Sequence, residues 1–147
     1  MDIKSYLSGY ADGEGCFCVS INKSTRHKFG WEIRPSFSVS QNGGRAQVLE
    51  MLQQHFGCGT IRPDRSDKTL KYEVRGVDEL VERIIPHFEE TPLLSGKQRD
   101  FELFAQICQM MYQGNHHEEE GLKRILDLAF EMNPSGIRKY TKEEIKL

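Results

Sequence analysis

A ten-residue run near the N-terminus, Leu7 to Cys16, constrains the fold more than any other part of the sequence. Its Gly9 and Gly13 are four residues apart, so on a helix they share a face that carries no side chain, and Ser8 and Ala11 are expected to widen it. Glycine inside a helix costs about 1 kcal/mol relative to alanine, so two glycines need an offsetting reason. Close approach of a second helix is one such reason; the alternative is an ordinary amphipathic helix that ends at a glycine cap.

Alternating apolar and polar residues follow this run directly. Phe17, Val19 and Ile21 alternate with polar residues, which predicts a strand with one buried face. A second alternation, 31–39, carries Pro35 on its apolar side. Because proline cannot donate a hydrogen bond to a neighbouring strand, we expect this strand to be an edge or to carry a bulge at Pro35.

The rest of the sequence predicts one more helix, a second hairpin and a helical second half. Residues 45–56 have apolar positions at helical spacing, and 59–65 and 69–75 form a hairpin pattern. Helical patterns then cover 78–88, a segment capped by Ser95 and Gln98, and 117–132, which ends in a turn at 133–136. The order αββαββ followed by helices predicts a single α+β domain over residues 1–147.

Composition limits the class of protein further. No apolar run is long enough to cross a bilayer, and the N-terminus lacks the layout of a secretion signal, so we expect an intracellular protein with no membrane partner. The cysteines Cys16, Cys18, Cys58 and Cys108 have no zinc-type spacing. We therefore expect four reduced thiols.

The charge of the chain is divided between its two halves. The formal net charge is −2, yet residues 20–75 contain ten Lys and Arg against five Asp and Glu. Basic and polar residues therefore collect on the outward faces of the predicted strands. Such a sheet can lie along DNA, with cations on the phosphates and other side chains on base edges. The alternative is an ordinary solvated strand face.

The segment from Leu7 to Gly15 resembles the LAGLIDADG signature of homing endonucleases. Leu7, Gly9, Asp12 and Gly15 are identical to it, whereas Ser8, Tyr10, Ala11, Gly13 and Glu14 replace its other letters. The resemblance covers most of the chain, the tail from about Met132 least. It implies an αββαββ core whose four-stranded antiparallel, saddle-shaped sheet binds DNA, followed by C-terminal helices.

The resemblance also implies an active site. Glu14 takes the place of the acid that binds divalent metal at the scissile phosphate, with the Gly13 carbonyl as a further ligand. Mg²⁺ would be the cofactor, Mn²⁺ would substitute, and Ca²⁺ would support binding without cleavage. Gln41 is a candidate to position the attacking water, Arg45 to order solvent or phosphate, and Lys97 to support the metal centre. Without the resemblance, these three would be a turn residue and two surface cations.

One motif helix in one chain implies a homodimer, because cutting duplex DNA needs a site on each strand. The expected interface comprises Leu7, Ser8, Gly9, Ala11, Asp12 and Gly13. The two-fold symmetry implies a pseudo-palindromic target. Strand parity selects the expected DNA-binding residues, with 23–30 as the hairpin tip: Ser20, Asn22, Ser24, Arg26, Glu32, Arg34, Ser36, Ser38, Thr60, Arg62, Thr69, Lys71 and Glu73.

The sequence thus favours a homodimeric, Mg²⁺-dependent homing endonuclease that makes a double-strand break at a long, specific site in double-stranded DNA. The resemblance implies an intron-encoded protein of a chloroplast, a mitochondrion or a microbial cytoplasm. One alternative is a non-cleaving binder of the same fold, either a maturase with intron RNA as its partner or a transcription regulator. A small domain without nucleic acid is the third alternative.

Overall fold

A computed structural model describes residues 1–64, 68–132 and 138–147. Helix α1 (Ile3–Glu14) begins at Asp2, whose carboxylate accepts hydrogen bonds from backbone N–H groups of the first turn. It continues without a linker into β1 (Gly15–Lys23), and a hairpin then leads to β2 (Trp31–Asn42). The predicted helix-to-strand transition therefore lies at Glu14.

A 3₁₀ turn (Gly43–Arg45) and helix α2 (Gln47–Phe56) lead into the second hairpin, β3 (Thr60–Pro63) and β4 (Thr69–Val74). Among the described residues the four strands form one antiparallel sheet in the order β1-β2-β4-β3. The predicted αββαββ order and the α+β class are confirmed.

Strand β2 is central in the sheet, although Pro35 predicts an edge. The reason is that β4 pairs only with the second half of β2, from Phe37 to Asn42. Pro35 lies opposite Val19 of β1, in the half that has a partner on one side only. Its missing N–H is therefore tolerated locally, as at a true edge.

The second half of the chain is helical and covers the apolar side of the sheet. Its elements are α3 (Val77–Glu79), a π-helical segment (Leu80–Ile84), α4 (Ile85–Glu90), α5 (Lys97–Tyr112), a 3₁₀ turn (Asn115–His117) and α6 (Glu119–Glu131). The Ser95 hydroxyl accepts a hydrogen bond from Lys97 N at 3.1 Å, as a cap does, but the predicted capping box is not closed, because the Gln98 side chain accepts from Leu93 N instead. The turn predicted at 133–136 lies outside the described residues.

Aromatic rings form the centre of the core. Phe17 of β1 contacts Phe37, Phe88, Phe101 and Phe104 with ring centroids 5.1 to 5.3 Å apart. The cluster joins the first hairpin to α4 and α5, so the sheet and the helical half share one core. All four cysteines are free. Within the described residues, no helix combines the length and apolarity needed to cross a membrane.

Candidate active site and nucleic-acid face

The C-terminal end of α1 presents an exposed carboxylate. Glu14 is the last helical residue, and β1 begins at Gly15 immediately after it. A Cβ atom at Gly15 would lie 2.7 Å from the Ala11 carbonyl oxygen, so only glycine permits this abrupt exit from the helix. Glu14 is therefore held at the junction of helix and sheet rather than on a loop.

Lys97 of α5 lies against the same helix end. Its Nζ donates to the carbonyl oxygens of Ala11, at 3.1 Å, and Gly15, at 2.6 Å. A helix C-terminus carries partial negative charge, which favours an ammonium there. Since an ammonium has three donors, one remains for another acceptor near Glu14.

Gln41, near the end of β2, is tied to α1 as well. Its Nε2 donates to the Tyr10 hydroxyl at 2.5 Å, and Tyr10 lies one turn before Glu14. The sequence analysis assigns no role to Tyr10. Its spacing of four residues from Glu14 nevertheless indicates that both lie on the same face of the helix. Arg45 is not part of this group: it is exposed in the 3₁₀ turn, and its side chain has no hydrogen bond or ion pair with any described residue.

Asp12 fastens the motif helix to the segment before α5. Its carboxylate accepts hydrogen bonds from the backbone N–H groups of Leu94 and Ser95, each at 3.1 Å, and from the Ser95 hydroxyl. The Ser95 hydroxyl is the main reason that the pKa of Asp12 is lowered. Asp12 was predicted at a dimer interface, but its carboxylate is engaged within its own chain.

Three further residues of the predicted interface are buried within their own chain. Leu7 and Ala11 have no exposed surface, and Ser8 is 4% exposed, because these residues pack into the core of their own chain. Gly9 and Gly13 lie on the opposite, exposed side, and a Cβ at either position would meet nothing within 4 Å. Packing within the chain therefore gives no reason for glycine at these two sites.

Two large apolar side chains accompany the exposed glycines. Tyr6, three residues before Gly9, is 42% exposed. Leu94, which follows α4 and is joined through its N–H to Asp12, is 96% exposed. We call Tyr6, Gly9, Gly13 and Leu94 the motif-helix surface. No pattern in the sequence predicts the exposure of Leu94, since that exposure depends on the path of the chain between two helices.

Strand pairing places the predicted DNA-binding strand residues on one face of the sheet. Ser20 is opposite Arg34, Asn22 is opposite Glu32, and Arg62 is opposite Lys71. Arg34, Arg62 and Lys71 keep between 25% and 51% of their side chains exposed. The strand residues predicted to face outward therefore do share one face of the sheet. Their contact with DNA stays a prediction. Ser24 and Arg26 lie in the hairpin tip, where the Ser24 hydroxyl contacts His27.

Two members of the predicted set, Ser38 and Glu73, are only 8% exposed, so neither can reach a base edge directly. They lie opposite each other in the β2–β4 pairing. Glu73 accepts hydrogen bonds from Arg62 and Arg75, both at 2.8 Å, and Lys71 lies 3.5 Å away. Burial acts to raise the pKa of Glu73, but the hydrogen bonds and neighbouring cations outweigh it and lower the pKa. Glu73 thus organises a cluster of three cations instead of reading a base.

The donor set at the end of α1 is compatible with a hard cation. Mg²⁺ prefers oxygen ligands and typically takes one or two protein carboxylates with water and phosphate completing its shell. Glu14 offers an exposed carboxylate, and the last turn of α1 offers carbonyl oxygens. Within the described residues, no three acidic, histidine or cysteine side chains gather into a metal-binding cluster.

The fold is that of homing endonucleases. The crystal structure of I-TnaI, a homing endonuclease, matches with a TM-score of 0.83 at 36% identity, over 88% of this chain and 87% of that one. I-SmaMI, solved bound to uncleaved DNA target in the presence of calcium ions, matches with a TM-score of 0.87 at 28% identity, over 95% of this chain and 47% of that one.

The sequence relationship is equally direct. The family model described as LAGLIDADG endonuclease matches residues 7–108, so the chain belongs to the LAGLIDADG endonuclease family. A probable intron-encoded endonuclease of Neurospora crassa is 34% identical over 95% of this chain, but this region is only 31% of that relative. The chain spans about a quarter to a third of the length of the first curated relatives that it matches.

Proposed function

We propose that this chain cleaves double-stranded DNA at a specific, pseudo-palindromic site, using Mg²⁺ held by Glu14 and the Gly13 carbonyl. The observation that carries the proposal is the end of α1, where the exposed Glu14 is the last helical residue and Lys97 binds the carbonyls of Ala11 and Gly15. Support comes from relatives named as endonucleases and from structural neighbours bound to DNA.

In this proposal, each of the chain's residues around the reacting phosphate has a separate role. A metal ion there would polarise the phosphate, activate water and neutralise the leaving oxygen. The third donor of Lys97 is free to bind a phosphate oxygen and stabilise its developing charge. The Gln41 amide orients the attacking water, and Arg45, which is exposed near the end of β2, is free to steady the phosphate or its solvent.

The proposed functional unit is a homodimer joined through the motif-helix surface. Its occupant is α1 of a second copy, because glycine at both Gly9 and Gly13 has no use within one chain and allows two helix backbones to approach closely. Tyr6 and Leu94 then cover the sides of the contact. The match to I-SmaMI, in which this chain accounts for 47% of the longer chain, is consistent with two such units working together.

The DNA partner would lie along the sheet face that carries Arg34, Arg62 and Lys71. A strand pair in the major groove can present alternate side chains to base edges while cations neutralise phosphates. The exposed members of the predicted set are the readers in this proposal. Ser38 and Glu73 are nearly buried in the sheet, and Glu73 holds Arg62 and Lys71 in position.

The first experiment identifies the target and the chemistry together. The full chain is incubated with a randomised DNA library and Mg²⁺, and cleaved ends are sequenced; a recurrent cut is expected. Glu14→Gln should then lower the cleavage rate by at least about a thousandfold, because the metal loses its carboxylate. Its affinity for the selected DNA in Ca²⁺ should change little.

The matched control is Glu120→Gln, which neutralises an exposed glutamate of α6 remote from the site and should cleave like the unmodified protein. Loss of folding together with binding in Glu14→Gln would make Glu14 structural. Binding of the library without a cut in any divalent metal would instead favour the non-cleaving alternative.

A further inference from the structure

Tyr10 is the one polar replacement in the motif that faces the strand side of the site. Its ring is partly exposed, and its hydroxyl accepts a hydrogen bond from Gln41 Nε2 at 2.5 Å. The ring of Tyr10 lies beside that of Tyr6, with centroids 6.3 Å apart, and its hydroxyl binds the amide that the proposed function places at the water.

The Gln41 side chain is fixed at both of its polar atoms. While Nε2 binds Tyr10, Oε1 accepts a hydrogen bond from the backbone N–H of Asn42 at 2.9 Å. Turning the amide over would set its NH₂ group against the Asn42 N–H, so only one orientation satisfies both contacts. One hydrogen on Nε2 and one lone pair on Oε1 remain for a water molecule.

We propose that Tyr10 is a positioning residue, which holds the Gln41 amide in the orientation that aligns the attacking water. This inference rests on the proposed function, since it needs DNA cleavage and a role for Gln41 in it. The motif helix then contributes twice to the same reaction. Glu14 binds the metal. One turn earlier, Tyr10 sets the orientation of Gln41 on β2 and, through it, the direction of the attacking water.

The chemistry explains why one hydroxyl matters. A water molecule attacks efficiently only when it is held in line with the bond that breaks, and a small rotation of its holder weakens that alignment. Phenylalanine keeps the ring of Tyr10 but removes the acceptor of the Nε2 hydrogen bond. The Gln41 amide then rotates more freely. A neutral hydrogen bond of this kind corresponds to about a five- to tenfold change in rate.

The test is single-turnover cleavage of the library-selected DNA by Tyr10→Phe. We expect the cleavage rate to fall about five- to tenfold in Mg²⁺, while the affinity for the same DNA in Ca²⁺ and the melting temperature stay unchanged. The control is Tyr112→Phe, which also removes one hydroxyl, in that case one bound to Glu82 at 3.0 Å on the helical half. It should cleave at the original rate.

A double-mutant cycle with Gln41→Ala separates positioning from a general effect. If Tyr10 acts through Gln41, adding Tyr10→Phe to Gln41→Ala should slow cleavage no further. A multiplied loss, an unchanged rate in Tyr10→Phe, or a loss that appears only as a lower melting temperature overturns the inference and leaves the proposed function intact. An unmodified chain that cuts no DNA overturns the proposed function, and the inference with it.

Discussion

A single buried hydroxyl fastens the motif helix to the helical half. Ser8 donates to the Thr91 carbonyl at 2.6 Å, so it accepts from His87 Nε2 at 3.0 Å. His87 Nδ1 must then be an acceptor, and His55 Nε2 donates to it at 3.1 Å. This chain of bonds requires a neutral His87, and it explains why a residue first assigned to an interface points inward.

The neutral state of His87 predicts acid sensitivity. Burial is the main cause that lowers the pKa of His87 to about 4, with the nearby His55 adding to it. Since an unfolded histidine has a pKa near 6.5, the folded protein keeps this stability above pH 6.5 and loses it as pH falls towards 4. We expect a loss of about 3 kcal/mol across that window. Chemical denaturation at several pH values measures it.

The variant His87→Gln cannot titrate, so its free energy of unfolding should vary less between pH 6.5 and 4 than that of the unmodified protein. His117→Gln removes an exposed histidine whose ring contacts His116 rather than His87, so the loss of stability that His87 causes should remain. The same steep pH dependence in His87→Gln would mean that other groups cause it.

At the scale of elements, the sequence determined the strands better than the helix faces. A strand alternates strictly, so Arg34 and Arg62 could be assigned to the outer face from parity alone. On α1, small residues surround the helix, and the sequence does not distinguish the buried Ala11 from the exposed Gly13. The burial of Glu73 could not be predicted from the sequence either, because it depends on which cations the pairing of β3 with β4 brings beside it.

The exposed glycines of α1 lead to a prediction in which one substitution raises the stability of the chain and weakens its self-association. Gly13→Ala places a methyl group in open space, so the isolated chain should gain up to about 1 kcal/mol of stability from better helix propensity. The same methyl group should weaken self-association, because it separates the two motif helices. Sedimentation measures the dimer dissociation constant, and thermal unfolding at low concentration measures the monomer.

Gly44→Ala is the control, since Gly44 also has open space around it but lies in the 3₁₀ turn outside α1. It should leave self-association unchanged. If Gly13→Ala stabilises the chain and the dimer alike, the motif-helix surface is not where two copies meet.

At the scale of the whole molecule, the chain is organised as two faces of one sheet. Helices cover the apolar side and hold most of the negative charge, while the outer side of the described strands carries Arg34, Arg62 and Lys71. This division reconciles a net charge of −2 with a nucleic-acid partner. DNA bound to the sheet would interact mainly with the charges next to it, because salt screens charges that are more than about 10 Å away.

That division predicts how salt affects DNA binding. If Arg34 and Arg62 contact phosphates, replacing either with alanine should weaken binding and reduce the slope of log affinity against log salt by about one, since fewer counterions are released. A contact to a base would instead relax specificity at one position of the site. Arg124→Ala removes an exposed cation from α6 on the opposite side and should leave the slope unchanged. Equal effects in all three variants would show that net charge, rather than this face of the sheet, governs binding.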